Sequence, residues 1–208
     1  MSTLKPEQEF TQLASAERVA KTAAALEANG MHAIVLESGE EARGCVLEMI
    51  PAGAEVHNPP SRTLEQIGVA ADIENSVAFH ASRPRLHVLD RKTQQGEIRR
   101  LAASPDVVVG SVHAITEQGQ VLVASASGSQ LGAAAFGAGT VIWVVGTQKL
   151  VPTLEEGLRR IREYSYPLED ARARQVYGQP SAINKILVVN GERPGRITVV
   201  LVKEQLGF

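Results

Sequence analysis

Four short polar stretches carry side chains able to do chemistry, and each follows an apolar run. The first is Asn58-Pro-Pro-Ser-Arg-Thr63. Free amides at a helix start, with the Ser61 and Thr63 hydroxyls, suit a carboxylate or phosphate there; a plain helix-capping loop is the alternative. The second, Gly110-Ser-Val-His-Ala-Ile-Thr-Glu-Gln-Gly119, gathers Ser111, His113, Thr116 and Glu117. Glu117 borders a region without charges, so desolvation should raise its pKa and fit it for nucleophilic or acid–base work. His113 is the second catalytic candidate. The same residues also read as a simple turn with a solvated acid. The third stretch is Ser125-Ala-Ser-Gly-Ser-Gln130, where Gly128 permits close backbone approach and Ser127, Ser129 and Gln130 offer neutral donors to an anion. It matches neither the P-loop nor the dinucleotide fingerprint. The fourth is Gly146-Thr-Gln-Lys149, in which Lys149 is either a counter-charge for an anion or an ordinary surface lysine. The ligand-binding candidates are therefore Ser61, Thr63, Gly119, Ser127, Gly128, Ser129, Gln130 and Lys149.

The elements that must position these residues follow from periodicity. Residues 10–29 read as a helix with Phe10, Leu13, Ala16, Ala20 and Ala23 on one face and Asn29-Gly30 as its stop. Residues 33–36 suggest a strand. Ser38 and Glu41 form a capping box that opens a helix with Ala42, Cys45, Met49 and Ile50 inward, ending before Pro51. Residues 54–57 suggest a strand, and Ser61 is placed to cap a short helix. Residues 86–103 read as one polar helix whose cations Arg91, Lys92, Arg99 and Arg100 alternate with acids, as on a solvated face. The unbroken apolar runs 107–109, 121–123 and 141–145 suit strands buried on both faces of a mostly parallel sheet. Residues 128–136 suggest a turn and a small-residue helix against that sheet. Thr153 and Glu156 form a second capping box, with Leu154, Leu158 and Ile161 on one stripe. Residues 185–189 and 197–202 read as two adjacent strands. The alternation is that of a three-layer α/β fold, in which ligands bind beyond the C-terminal ends of the strands.

Composition narrows the field. The chain has 208 residues, 21% of them charged, and a formal net charge of -2, which argues against a nucleic-acid surface. Residues 118–148 hold no Asp, Glu, Lys, Arg or His, where about six charges would be expected by chance. Gly128, Gly132, Gly137 and Gly139 interrupt that stretch, so it is no membrane span. A single cysteine, Cys45, excludes an intrachain disulfide and a self-contained iron–sulfur cluster. The five histidines lack tight metal-ligand spacing, so no metal site is expected. Residues 1–10 have no apolar signal core, which makes a cytoplasmic location the expectation.

Several ordered motifs carry a resemblance. They are Pro105-Asp-Val-Val-Val-Gly-Ser-Val-His-Ala-Ile-Thr-Glu-Gln-Gly-Gln-Val-Leu-Val-Ala-Ser125, Gly128-Ser-Gln-Leu131 and Val141-Ile-Trp-Val-Val-Gly-Thr-Gln-Lys149. Ser61-Arg-Thr-Leu-Glu-Gln-Ile-Gly68 and Val202-Lys-Glu-Gln-Leu-Gly-Phe208 belong with them. Together they resemble the lactate-utilisation (LUD) domain family in its short stand-alone form. The resemblance implies one domain over residues 1–208, with 1–30 as an N-terminal helical region. It implies a Rossmann-like α/β fold similar to the sugar-phosphate isomerase and CoA-transferase superfamily, and an association with oxidation of L-lactate to pyruvate. The turn Glu117-Gln-Gly119 resembles the Glu-Asn-Gly turn of CoA transferases, with Gln118 as the departure; sharing a fold does not transfer a mechanism.

Two classes of function follow. In one, the protein binds a small organic acid, acyl thioester (a CoA ester as substrate) or sugar phosphate, with Glu117 as nucleophile or base. In the other, it is a non-catalytic accessory or regulatory subunit docked on an iron–sulfur oxidoreductase. No cofactor is evident, and self-association into a homo-oligomer fits either class.

Overall fold

The apolar runs become strands of two sheets rather than one. A computed structural model describes residues 5–90 and 92–208. Residues 1–4 of the expected N-terminal region, and Arg91 of the basic cluster, lie outside the described residues. The first sheet has six parallel strands: β1 (His32–Leu36), β2 (Glu55–His57), β3 (His80–Ala81), β4 (Val107–Gly110), β7 (Thr140–Gly146) and β10 (Ile197–Val202). Their spatial order is β1-β10-β7-β4-β2-β3. The second sheet is mixed, in the order β8 (Leu150–Val151), β5 (Ala114–Thr116), β6 (Val121–Ser125) and β9 (Lys185–Val189).

Side-chain alternation along the strands builds the layers. Val107, Val109, Ile142, Val144, Val200 and Val202 face one way and pack on α2 (Gly39–Met49), α3 (Arg62–Gln66) and α4 (Val69–Asn75) through Val46, Leu64 and Ile73. Val108, Val141, Trp143, Val145, Val199 and Leu201 face the other way. They pack on Val19 and Leu26 of α1 (Ala16–Ala28) and on Ile115, Val121 and Val123 of the second sheet. The far face of that second sheet, through Ala114, Leu122 and Val151, packs on Ile161 and Tyr164. These two residues lie in a π-helical turn (Ile161–Ser165) joining α7 (Leu154–Arg160) to α8 (Tyr166–Tyr177). The fold is thus α/β and Rossmann-like, with helices on both sides of a parallel sheet and an added sheet on one side. Each buried Val or Leu contributes about 1.5–3 kcal/mol, so all three clusters are substantial.

Several expectations are corrected. The run at 121–123 is not in the parallel sheet: β6 pairs antiparallel with β5 and β9, and it is buried because layers cover it on both sides. The last two strands are not neighbours, since β9 edges the second sheet while β10 lies between β1 and β7. Phe10 is not on α1. Ser15 caps that helix by accepting from the Arg18 amide at 3.2 Å, and Phe10 packs on Tyr164 with ring centroids 6.3 Å apart. The polar helix at 86–103 is two helices, α5 (Ser82–Val88) and α6 (Gln95–Ala103). The Asp90 carboxylate breaks it by accepting from the Lys92 amide and the Thr93 hydroxyl, each at 2.8 Å. In α2 the inward position belongs to Val46, and Cys45 is half-buried. Ser38 and Thr153 cap α2 and α7, accepting from the amides of Glu41 and Glu156. Glu41 accepts from the Glu37 amide rather than that of Ser38. The small residues after Gly128 form a π-helical turn (Ala133–Gly137) with Ala133 and Ala134 buried.

Among the described residues, no helix is long and apolar enough to cross a membrane.

Candidate functional site

Three strand ends meet at the C-terminal edge of the parallel sheet: His57 of β2, Gly110 of β4 and Gly146 of β7. Beyond them opens a cleft of about 310 Å³. Val108 and Trp143 line it from the sheet, the 59–63 and 125–130 loops contribute polar groups, and Tyr166 and Tyr177 stand on the α8 side.

Lys149 closes a single 3-10 turn (Thr147–Lys149) directly after β7, the strand flanked by β10 and β4. That position carries the side chain under the cleft, where it is 1% exposed. Its Nζ donates to Thr63 Oγ1 and to Ser111 Oγ, each at 3.0 Å. The Thr63 hydroxyl donates onward to the Leu206 carbonyl at 3.2 Å, so it can only accept from the amine. Among the described residues no carboxylate pairs with Lys149. Burial, with the positive field of Arg160 added, holds its pKa well below the ordinary lysine value.

Arg160 is the second buried basic side chain. It ends α7 on the stripe Gly157, Arg160, Ile161 and Tyr164, and its side chain is wholly enclosed. Nη1 donates to the His113 carbonyl and to Ser165 Oγ, and the guanidinium lies 5.0 Å from the centre of the Tyr164 ring. Nε and Nη2 have no hydrogen-bond partner among the described residues. Burial lowers the pKa to about 10, which leaves the group charged at neutral pH.

His113 stands on the cleft wall. Its Nδ1 accepts the Ala124 amide at 3.1 Å, because an amide N–H can only donate. The proton of the neutral ring is therefore on Nε2, and the imidazole offers the cleft a donor rather than a base. Burial first, then Lys149 and Arg160, pull its pKa to about 3.

The other candidates divide. Ser61, Thr63, Ser127, Ser129, Gln130 and Lys149 all line the cleft with His113. Ser61 also caps α3, accepting from the Leu64 amide at 3.4 Å, so capping and cleft lining coincide. Ser127 and Ser129 bond to each other at 3.1 Å, and Gln130 donates to the Ala124 carbonyl at 3.3 Å. Gly128 turns its loop at φ +85° and backs onto Lys185, outside the cleft lining. Gly119 (φ +77°) and Glu117 are in the β5–β6 turn and lie against α1, away from the cleft. The expected rise in the Glu117 pKa is overturned. Its carboxylate accepts from Lys21 at 2.7 Å and Arg18 at 2.8 Å, and those bonds lower the pKa. Sequence reasoning missed Arg160 altogether. The signal lay in its spacing, three residues after Gly157 and four before Tyr164, on the inward stripe of α7.

The neutral histidines give a pH prediction. His57, bonded to Ser82 Oγ at 2.8 Å, has its pKa lowered to about 4 by burial and Arg83, and His113 stands at about 3. Both bind fewer protons folded than unfolded, so their contribution is complete above about pH 6.5 and falls as pH drops toward the folded values. Between pH 7 and 5 each is expected to cost about 1.5–2 kcal/mol of stability. Urea unfolding at the two pH values measures the loss, and the double change His57→Gln, His113→Gln should reduce the difference by about 3–4 kcal/mol.

Comparison with known proteins places the molecule. A search among curated proteins finds no match. Among solved structures it is similar to the crystal structure of a DUF162 family protein from Deinococcus radiodurans. The TM-score is 0.56 at 17% identity, over 92% of this chain and 99% of that one, which is a likeness of fold. The family model of the LUD domain matches residues 19–202, a span that takes in every strand of both sheets and both Lys149 and Arg160. The chain therefore belongs to the LUD domain family.

Proposed function

We propose that the cleft binds a small organic acid, with its carboxylate on Lys149. One observation carries this reading: two buried basic side chains, Lys149 lining the cleft and Arg160 packed behind its His113 wall, pair with no carboxylate among the described residues, while the cleft's own Glu65 and Glu169 are taken by Arg62 and Arg172. Enclosing an unpaired charge costs several kcal/mol, and a ligand carboxylate offsets that cost. The Ser127 to Gln130 loop and Ser61 provide neutral polar groups for the rest of the ligand, and the His113 Nε2–H provides a donor. At about 310 Å³ the cleft lies at the small end of ligand sites, which favours a short acid over an acyl thioester. Membership of the LUD domain family supports L-lactate or pyruvate as the first acids to try.

Trp143 is the sole tryptophan and lines the cleft, so its fluorescence reports occupancy. Titration with lactate, pyruvate, a sugar phosphate and a CoA ester should give a saturable change with the short acids. Binding at 100 times Kd should add about 2.7 kcal/mol to stability, seen as a raised melting temperature. Lys149 should take up a proton as the anion settles, so calorimetry in buffers of different ionisation enthalpy should show uptake and affinity should weaken as pH rises. Glu117→Gln should leave the titration unchanged. If no acid alters fluorescence or melting, the proposal is wrong.

A further inference from the structure

We infer that Lys149 is a nucleophilic amine that captures carbonyl compounds bearing a carboxylate as an imine. This rests on the carboxylate-binding reading and gives the ligand a second functional group. The hydrogen bonds around Nζ carry the inference. Thr63 Oγ1 can only accept, since its own proton goes to the Leu206 carbonyl, and Ser111 Oγ supplies a second acceptor at 3.0 Å. A neutral amine has two N–H groups and one lone pair. The two hydroxyls, both on residues that line the cleft with Lys149, satisfy both N–H groups, and no described group claims the remaining tetrahedral position of the nitrogen. No carboxylate is present among the described residues to hold the amine as an ammonium. Burial and the Arg160 charge act in the same direction. The His113 Nε2–H is a donor on the same cleft wall, suited to polarise a carbonyl oxygen.

The step balances without an oxidant. The proton that Nζ takes up with the carboxylate passes through the Ser111 hydroxyl to the carbonyl oxygen, and the freed Nζ lone pair attacks the carbonyl carbon, a C–N bond forming as the π pair moves to oxygen. A second N–H proton then follows to that oxygen, which leaves as water and gives the iminium. Ammonium and carbonyl thus become iminium and water, and the positive charge stays beside the ligand carboxylate.

Glyoxylate with sodium cyanoborohydride near neutral pH tests this on the unmodified protein. Intact mass and peptide mapping should show one carboxymethyl group, on Lys149. Each unit by which an amine's pKa is lowered raises its neutral fraction tenfold, so labelling should run at least about tenfold faster than at the exposed Lys21 and Lys203. Propionate, which has the carboxylate but no carbonyl, should slow labelling at Lys149 and not at the other two. Glyoxylate that changes Trp143 fluorescence but leaves Lys149 unlabelled overturns the imine and spares the carboxylate site. Equal labelling of Lys149, Lys21 and Lys203 also overturns the imine. If glyoxylate neither binds nor labels, both readings fall.

Discussion

Lys149→Met is expected to weaken binding of short carboxylates by about 100-fold while leaving the free protein about as stable as the wild type, or more so. The two effects have one cause. The amine sits under the cleft, 1% exposed, on two hydroxyls that bring no charge to balance its protonated form. Methionine has nearly the same length and no polar group to desolvate, so exchanging the unpaired buried amine for it is expected to change stability by less than about 1 kcal/mol, or to raise it. Thr63 keeps its bond to the Leu206 carbonyl, so no donor is stranded by the change. The ligand, in contrast, loses its charge-assisted contact and meets an apolar floor. Urea unfolding and the Trp143 titration read the two effects separately. A large loss of stability with binding retained would show that Lys149 is a structural group.

Gly146→Ala should cost about 3 kcal/mol of folding stability. Gly146 ends β7 with an ordinary φ of -66°, so space rather than backbone conformation demands a glycine there. An added Cβ would stand 2.2 Å from Gln148 Oε1, 2.6 Å from the Glu204 carbonyl and 2.7 Å from the Leu206 amide. The last two are backbone, and the 203–208 segment would have to move. Gln148 Nε2 holds that segment through the Leu206 carbonyl at 2.9 Å, and the same carbonyl fixes the Thr63 hydroxyl under Lys149. The change should therefore lower the melting temperature and weaken carboxylate binding together. A melt unchanged within about 0.5 kcal/mol would mean that the segment is not braced this way.

Much of the fold is legible in the chain because unbroken apolar runs report burial on both faces. They do not report the partner strand. Val121, Leu122 and Val123 look like parallel-sheet residues, yet they are buried between the first sheet and the α7–α8 layer. The candidate site is legible where polar residues directly follow strands, which is why Ser61, Ser127, Gln130 and Lys149 converge. Glu117 misleads for a physical reason. Its environment is set by Arg18 and Lys21 on α1, about a hundred residues earlier in the chain, and no local spacing reveals them. Arg160 hides in the opposite way: it follows another arginine in an amphipathic helix, and only the helical phase tells that one of the pair points inward.

The charge-free stretch at 118–148 keeps its interest through one border alone. Its N-terminal border, Glu117, is neutralised by α1. Its C-terminal border, Lys149, is the buried amine without a carboxylate partner among the described residues, and carboxylate binding depends on it. A crystal structure of the protein with a short carboxylate bound tests that dependence most directly. A carboxylate oxygen is expected within hydrogen-bonding distance of Lys149 Nζ, between the 61–63 and 127–130 loops. A carboxylate found elsewhere on the molecule, with the Lys149 amine bonded only to Thr63 and Ser111, would contradict it.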